Sequence, residues 1–180
     1  MSLKRTITKT LLGTFVGLLA SSQVYAAISA AAFAEVYTPV AAVASNLSQV
    51  VYFRSGEPMA AGEAANIYVD QQFHSGLLPG GFTAFCVAPG NHSLLAYLDE
   101  APGYTGKQRQ YPFTLKGGET VFLRVNPGAG GLPQIVPRLA AERELLSNRR
   151  QVHVVSRASA ATDCNHSPDR HDAVAQTTER

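Results

Sequence analysis

The sequence contains few charged residues and no long apolar run. Of its 180 residues, 16% are Asp, Glu, Lys or Arg, below the roughly one quarter of an average soluble domain. So little charge argues against a coiled coil, and 46% hydrophobic residues argue against a disordered chain. The net charge is only +2 and no basic cluster occurs, so we expect no nucleic-acid binding. This length suits one domain, with or without tails.

The sequence also lacks the short motifs that mark common enzymes. Neither Gly-x-Ser-x-Gly nor His-Glu-x-x-His occurs. The glycine-rich run 128–131 (GAGG) is not followed by the Lys-Ser/Thr pair of a phosphate-binding loop, so we expect a flexible loop there. We therefore predict a protein that is not an enzyme, with no catalytic residues, cofactor or bound metal.

The first 26 residues have the three parts of a secretory signal peptide. Lys4, Arg5 and Lys9 form a basic start, 11–20 (LLGTFVGLLA) is apolar, and 24–26 (VYA) offers a small-x-small cleavage site. A membrane-spanning helix needs about 20 apolar residues, twice this run. We expect cleavage after Ala26, with sites further along the alanine-rich stretch as alternatives. The exported chain would then carry 12 basic and 13 acidic residues, and no transmembrane helix.

Short apolar runs between glycine and proline breaks follow from residue 49. Seven such runs at this spacing predict an all-β fold, a β-sandwich of about seven short antiparallel strands. Alternation supports this prediction, because Val121, Leu123 and Val125 would share one face of their strand. Pro112 predicts an edge strand. The runs are 49–54, 66–70, 82–88, 92–98, 110–115, 120–126 and 151–156.

One short helix is predicted to cover the sheet at 138–148. Pro137 stands at its start, and Leu139, Leu145 and Leu146 would form its apolar stripe. The domains are then a signal peptide (1–26), an Ala-rich lead-in (27–48), a β-sandwich (49–157) and a polar tail (158–180). The lead-in could be a short helix or a flexible segment, and the tail has almost no large apolar residues, so we expect it to be loose.

Three stretches share a pattern with a known domain type: 66–70 (NIYVD), 75–81 (SGLLPGG) and 87–94 (VAPGNHSL). They resemble small exported β-domains of the PEGA type, and a relative found upstream of OmpA-like peptidoglycan-binding domains in bacterial envelope proteins. The resemblance covers about 49–157 and implies consecutive hairpins, with no catalytic residues. The Pro-Gly turn at 89–90 is expected to reverse the chain, with glycine at a positive φ.

Cys86 and Cys164 are the two cysteines, and both would be exported. An even count in an oxidising compartment predicts a disulfide, which would close a loop of about 80 residues and pin the polar tail to the fold. The alternatives are a buried free Cys86, with Cys164 free or paired between chains.

Several metal-ligand types fall within ten residues of the tail. Their spacing matches no standard zinc pattern, so we favour a solvated polar segment. The candidate ligands are Asp163, Cys164, His166, Asp169, His171 and Asp172.

Three histidines lie near serines in the sequence. Strand neighbours point to opposite faces, so His92 and Ser93 cannot form a nucleophile–base pair with each other. Ordinary strand and turn residues explain the group better than catalysis, but a hydrolase site assembled from distant segments stays open. The residues concerned are His74, His92, His153, Ser75, Ser93 and Ser156.

A polar loop flanked by tyrosines is the candidate binding loop. Tyr104, Lys107, Arg109 and Tyr111 have the composition of a recognition surface, and equally that of an ordinary hairpin loop.

Together these features predict a non-catalytic envelope protein, a scaffold or binding module for an envelope protein or glycan. A hydrolase, or an accessory component of an adhesion or matrix-export system, is the alternative. The location would be periplasmic or secreted.

Overall fold

The fold is seen in a computed structural model, which describes residues 32–56, 63–98, 111–127, 129–152 and 154–165. These residues form ten strands and one helix. The strands are β1 (Phe33–Val36), β2 (Ser48–Phe53), β3 (Ala65–Val69), β4 (Gln72–Leu77), β5 (Gly81–Val87), β6 (Gly90–Tyr97), β7 (Pro112–Leu115), β8 (Thr120–Arg124), β9 (Gln134–Val136) and β10 (Arg149–Gln151); the helix is α1 (Arg138–Leu145).

The strands form two sheets, which confirms the predicted all-β class with one helix. The larger sheet has the order β1-β10-β5-β2-β8-β9, and the smaller has the order β4-β3-β6-β7. The structure corrects two details. The described strands number ten rather than seven, and two pairs, β2–β8 and β10–β5, are parallel. Alternation locates a strand but does not fix the direction of its partner, because pairing joins residues far apart in the chain.

The main core lies between the two sheets. Alternate residues of β2 and β8, such as Val50, Tyr52 and Leu123, face Ile67 and Leu94 of the smaller sheet, and all five are fully buried. Since β8 contributes Leu123 to this core and Phe122 to the opposite face, its predicted alternation is confirmed.

Helix α1 covers the outer face of the larger sheet. Ala141 and Leu145 are buried there with Phe53 and Phe122, and Pro137 precedes the helix as predicted. The predicted stripe is wrong in part. Leu139 and Leu146 are 74% and 69% exposed, since the helix is shorter than expected and turns its small Ala141 toward the sheet.

The alanine-rich lead-in contributes to the sheet. Within it, β1 pairs antiparallel with β10, and the following Tyr37 is buried edge-on against Phe82. The backbone N–H of Tyr37 also donates to the carbonyl of Asn148. Residues 32–37 are thus neither the short helix nor the flexible segment that the sequence left open, because their hydrogen-bond partners lie more than 100 residues away in sequence, where local composition gives no signal.

The Pro89-Gly90 turn joins the two sheets. Gly90 has the expected positive φ, 141°, but β5 and β6 belong to different sheets and do not pair. The predicted hairpin at this turn is therefore wrong: the chain crosses from one layer to the other. A hairpin does form at β3–β4, where Asp70 and Gln71 both have positive φ (48° and 69°).

The end of the chain is attached to the sandwich as far as residue 165. We call residues 156–165 the C-terminal strap. Ala158 is 4% exposed in the main core, and Cys86 and Thr162 exchange two backbone hydrogen bonds of 2.9 and 2.8 Å. Residues 158–165 are therefore not loose: the predicted Cys86–Cys164 bond ties them to the sandwich, and Ala158 adds packing in the main core. The predicted strand 151–156 is also corrected, because β10 ends at Gln151.

Candidate functional site

The open side of the sandwich lies between β7 and β9. The larger sheet is two strands wider than the smaller one, and among the described residues β7 pairs only with β6 and β9 only with β8. Ile135 of β9 pairs with Leu123, which faces the main core, so both side chains lie on the same face of the sheet. Ile135 is nevertheless 61% exposed, because β9 extends beyond the smaller sheet.

An apolar groove runs along this side, which we call the β7–β9 groove. Its volume is about 570 Å³, within the range of small-molecule sites. None of the described residues that line it carries a formal charge. They are Tyr111, Pro112, Phe113, Thr114, Leu115, Val121, Leu132, Pro133 and Ile135.

Prolines flank both edge strands of the groove. Pro112 begins β7, which confirms the predicted edge position, while Pro133 and Pro137 stand on either side of β9. Proline has no N–H to donate, and edge prolines hinder the addition of a further strand. The groove therefore offers apolar side chains and lacks a backbone donor at Pro112 and Pro133.

The predicted binding loop falls largely outside the described residues. Tyr104, Lys107 and Arg109 lie there, so the loop itself stays a prediction. Tyr111 is described: it is half-buried, lines the β7–β9 groove, and its backbone N–H donates to the Ser93 hydroxyl at 3.3 Å. Tyr111 could be predicted from the sequence but the groove could not, because no local pattern shows that one sheet is wider than the other.

The predicted disulfide is present. The sulfur atoms of Cys86 and Cys164 are 2.18 Å apart, and the bond joins β5 to the C-terminal strap. Both cysteines are therefore oxidised, which removes Cys164 from the candidate metal ligands.

The described part of the tail gives no support to a metal site formed by the candidate ligands. Of its remaining candidates only Asp163 is described, and His166, Asp169, His171 and Asp172 lie outside the described residues. Within the described ranges, no group of three or more His, Cys, Asp or Glu side chains could hold a metal ion.

Among the described histidines, His74 contacts a serine hydroxyl. Its Nδ1 lies 3.0 Å from the Oγ of Ser156. The ring is 4% exposed and packs on Phe85, and its Nε2 is buried without a partner. Burial lowers the pKa of His74 to about 4, so the ring is neutral near pH 7. Among the described residues no carboxylate orients the ring, which leaves the pair without the third group of a hydrolytic triad in this part of the chain.

A bulge explains why His74 faces the core. Ile67 pairs with Ser75 and Tyr68 with Phe73, so His74 is the extra residue between two pairs. A bulge turns a side chain out of the regular alternation. Ser75 is buried as well, and no described hydroxyl other than that of Ser156 approaches the His74 ring nitrogens.

His92 has a structural environment. Its Nδ1 lies 2.8 Å from Asp70 Oδ2, and its Nε2 lies 2.8 Å from the carbonyl oxygen of Ala88. Asp70 Oδ1 accepts from the backbone N–H of Ser93 at 2.9 Å. Both ring nitrogens thus face acceptors, and neither is free to activate a serine. The contacts connect the β3–β4 hairpin to the turn between the sheets. His153 lies outside the described residues.

Gly131, the last residue of the glycine-rich run, packs against the smaller sheet. The carbonyl of Gly131 accepts from the backbone N–H of Ala96 at 2.8 Å, and a Cβ at Gly131 would lie 2.4 Å from the Tyr97 ring. The expected flexible loop is therefore attached at this end.

No described helix has the length and apolar character needed to cross a membrane. Comparison with protein families, curated proteins and solved structures finds no match to this chain.

Proposed function

We propose that this chain is an exported, non-catalytic binding module of the bacterial cell envelope, and that it binds its ligand in the β7–β9 groove. The observation that carries the proposal is this groove of about 570 Å³, which is apolar and lies where the smaller sheet ends. Exposed apolar surface in a concave site commonly marks binding.

Two features support export. The first 26 residues have the pattern of a signal peptide, and the Cys86–Cys164 disulfide suits an oxidising compartment. The PEGA-like assignment stays a proposal, and the hairpin that it implies at Gly90 does not form, because β5 and β6 lie in different sheets. Fractionation of bacteria that express the tagged full chain tests export. A processed protein in the periplasmic or medium fraction supports it, and an uncleaved cytoplasmic protein contradicts it.

The binding site is tested with Nile red, an uncharged apolar dye, titrated into the mature disulfide-bonded protein. We expect saturable fluorescence that Ile135→Glu weakens at least about tenfold, because a carboxylate would enter an uncharged groove. Leu139→Glu is the matched control, since Leu139 is equally apolar, is 74% exposed and lies on α1. Equal dye affinity in both variants would mean that the groove is not the site.

A hydrolase is the second candidate, and the 3.0 Å contact between His74 and Ser156 favours it. Ser156 is exposed, so a fluorophosphonate probe could reach it. Labelling of the mature protein that Ser156→Ala abolishes would support catalysis. An unlabelled protein favours the binding module, which could also serve in an adhesion or matrix-export system.

A further inference from the structure

We propose that the occupant of the β7–β9 groove is a single-chain fatty acid, with its hydrocarbon chain between the sheets and its carboxylate at Lys116. This inference rests on the proposed binding function and names the ligand class. It follows from the edges of the groove, from its lining, and from the charge at one of its ends.

The edges favour a hydrocarbon chain over a peptide strand. A peptide brings an N–H and a carbonyl at every residue, and each one left unpaired in an apolar groove weakens binding. The two edge strands have four and three residues, and Pro112 and Pro133 have no N–H to donate. A hydrocarbon chain brings no polar groups of its own, so it adds none that would need a partner in the groove.

The shape favours one chain. The groove follows β7, whose four residues span about 13 Å at the usual rise of a strand. Tyr111 lies at one end of β7 and Leu115 at the other, and all five residues from 111 to 115 line the groove. Beside one strand of this length we expect a single chain rather than the paired chains of a phospholipid.

Lys116 supplies the charge for the head group. It follows Leu115 directly, its side chain is 74% exposed, and its Nζ lies 3.9 Å from Glu119 Oε1. An ion pair this long and this exposed is weak, which leaves the ammonium able to meet a second carboxylate. The described lining is uncharged and Lys116 is the cation next to it in sequence, so we place the anionic group of the ligand at this end, outside the groove.

Displacement of bound Nile red by octanoic, decanoic, dodecanoic and tetradecanoic acids below their aggregation concentrations tests the chain. We expect the affinity to rise by up to about 15-fold for each two added carbons, until the groove is filled. An affinity that does not change with chain length would overturn the proposal. So would stronger displacement by an uncharged peptide of alternating valine and threonine than by dodecanoic acid.

Lys116→Gln tests the head group, with Arg143→Gln on α1 as the matched control for loss of an exposed cation. We expect Lys116→Gln to lower the affinity for dodecanoic acid about threefold and to leave the affinity for dodecanol unchanged. Equal effects on the acid and the alcohol would contradict the assigned carboxylate position. If Nile red binds in the groove but none of the acids displaces it, the ligand class is wrong and the binding function stands. If the dye does not bind there, the proposed function itself fails.

Discussion

The buried His74 side chain links the stability of this protein to pH. Its pKa falls from 6.5 to about 4 on folding, because burial disfavours the charged ring. Between these values the unfolded chain binds the proton more tightly, so the free energy of unfolding falls as the pH falls from 6.5 toward 4. The loss by pH 4 is on the order of 3 kcal/mol.

Urea unfolding at about pH 7 and about pH 4.5 measures this dependence. We expect the difference in unfolding free energy between the two pH values to be smaller in His74→Leu. Ser156→Ala should keep this difference, because desolvation and not the hydroxyl contact shifts the pKa of His74. A backbone hydrogen bond and Arg150 lower the pKa of Glu35 from 4.5. Glu35 therefore changes the pH dependence of stability only below about pH 4.5. A wild-type difference that persists in His74→Leu would contradict the assignment.

Gly117 and Gly118 need glycine for different reasons within one turn. A Cβ at Gly117 would lie 1.9 Å from the carbonyl oxygen of Ser45, whereas at Gly118 the nearest atom is 3.8 Å away. Gly118 instead has a φ of 76°, which L-residues with a Cβ rarely adopt. We expect Gly117→Ala to lower the free energy of unfolding by about 3 kcal/mol, because its Cβ would overlap with Ser45. Gly118→Ala should lower it by about 1 kcal/mol, because alanine is strained at this φ.

Asparagine distinguishes the two causes, since it tolerates the left-handed conformation better than alanine does. Gly118→Asn should recover part of the stability that Gly118→Ala loses, while Gly117→Asn should be no better than Gly117→Ala. Thermal unfolding of the four variants checks this. A rescue at residue 117 would show that overlap with Ser45 is not the cause.

At the scale of elements, the C-terminal strap depends on the Cys86–Cys164 disulfide. The bond spans 78 residues of sequence, and a loop of that size stabilises the folded state by about 4 kcal/mol in the chain-entropy model. Thr162 adds backbone hydrogen bonds to Cys86, but the strap has few large apolar side chains of its own. We therefore expect reduction to free the strap before the rest of the sandwich unfolds.

Cys164→Ala and Cys86→Ala separate the crosslink from the packing. Both variants lose the loop constraint. Cys86→Ala should also lose packing, because Cys86 is fully buried in β5, whereas Cys164 is only half-buried. Urea unfolding gives the loss, and limited proteolysis with identification of the first cut locates it. An early cut elsewhere than in 156–165 would contradict local release of the strap.

The elements also show what could be predicted from the sequence. Strong alternation identified β8, Pro137 marked the start of α1, and the presence of two cysteines predicted their bond. The parallel pairing of β2 with β8 could not be predicted, because it depends on contacts about 70 residues apart. The β7–β9 groove was missed because it arises from the unequal widths of two sheets, a property that no local pattern carries.

At the scale of the whole molecule, we expect the edge prolines to hinder the apolar open side from pairing with other copies. Pro112 and Pro133 stand at the ends of β7 and β9, two strands whose outer edges have no partner among the described residues. Threonine would restore an N–H and favour an extended strand. We expect Pro112→Thr combined with Pro133→Thr to raise self-association relative to the natural sequence, measured by light scattering coupled to size exclusion. Pro39→Thr, at an exposed position outside any strand, is the control and should not change the mass. If the double variant also keeps the mass of the natural protein, short strand length rather than proline limits pairing at this side. Increased self-association would instead identify the prolines as the feature that keeps the groove free for a ligand.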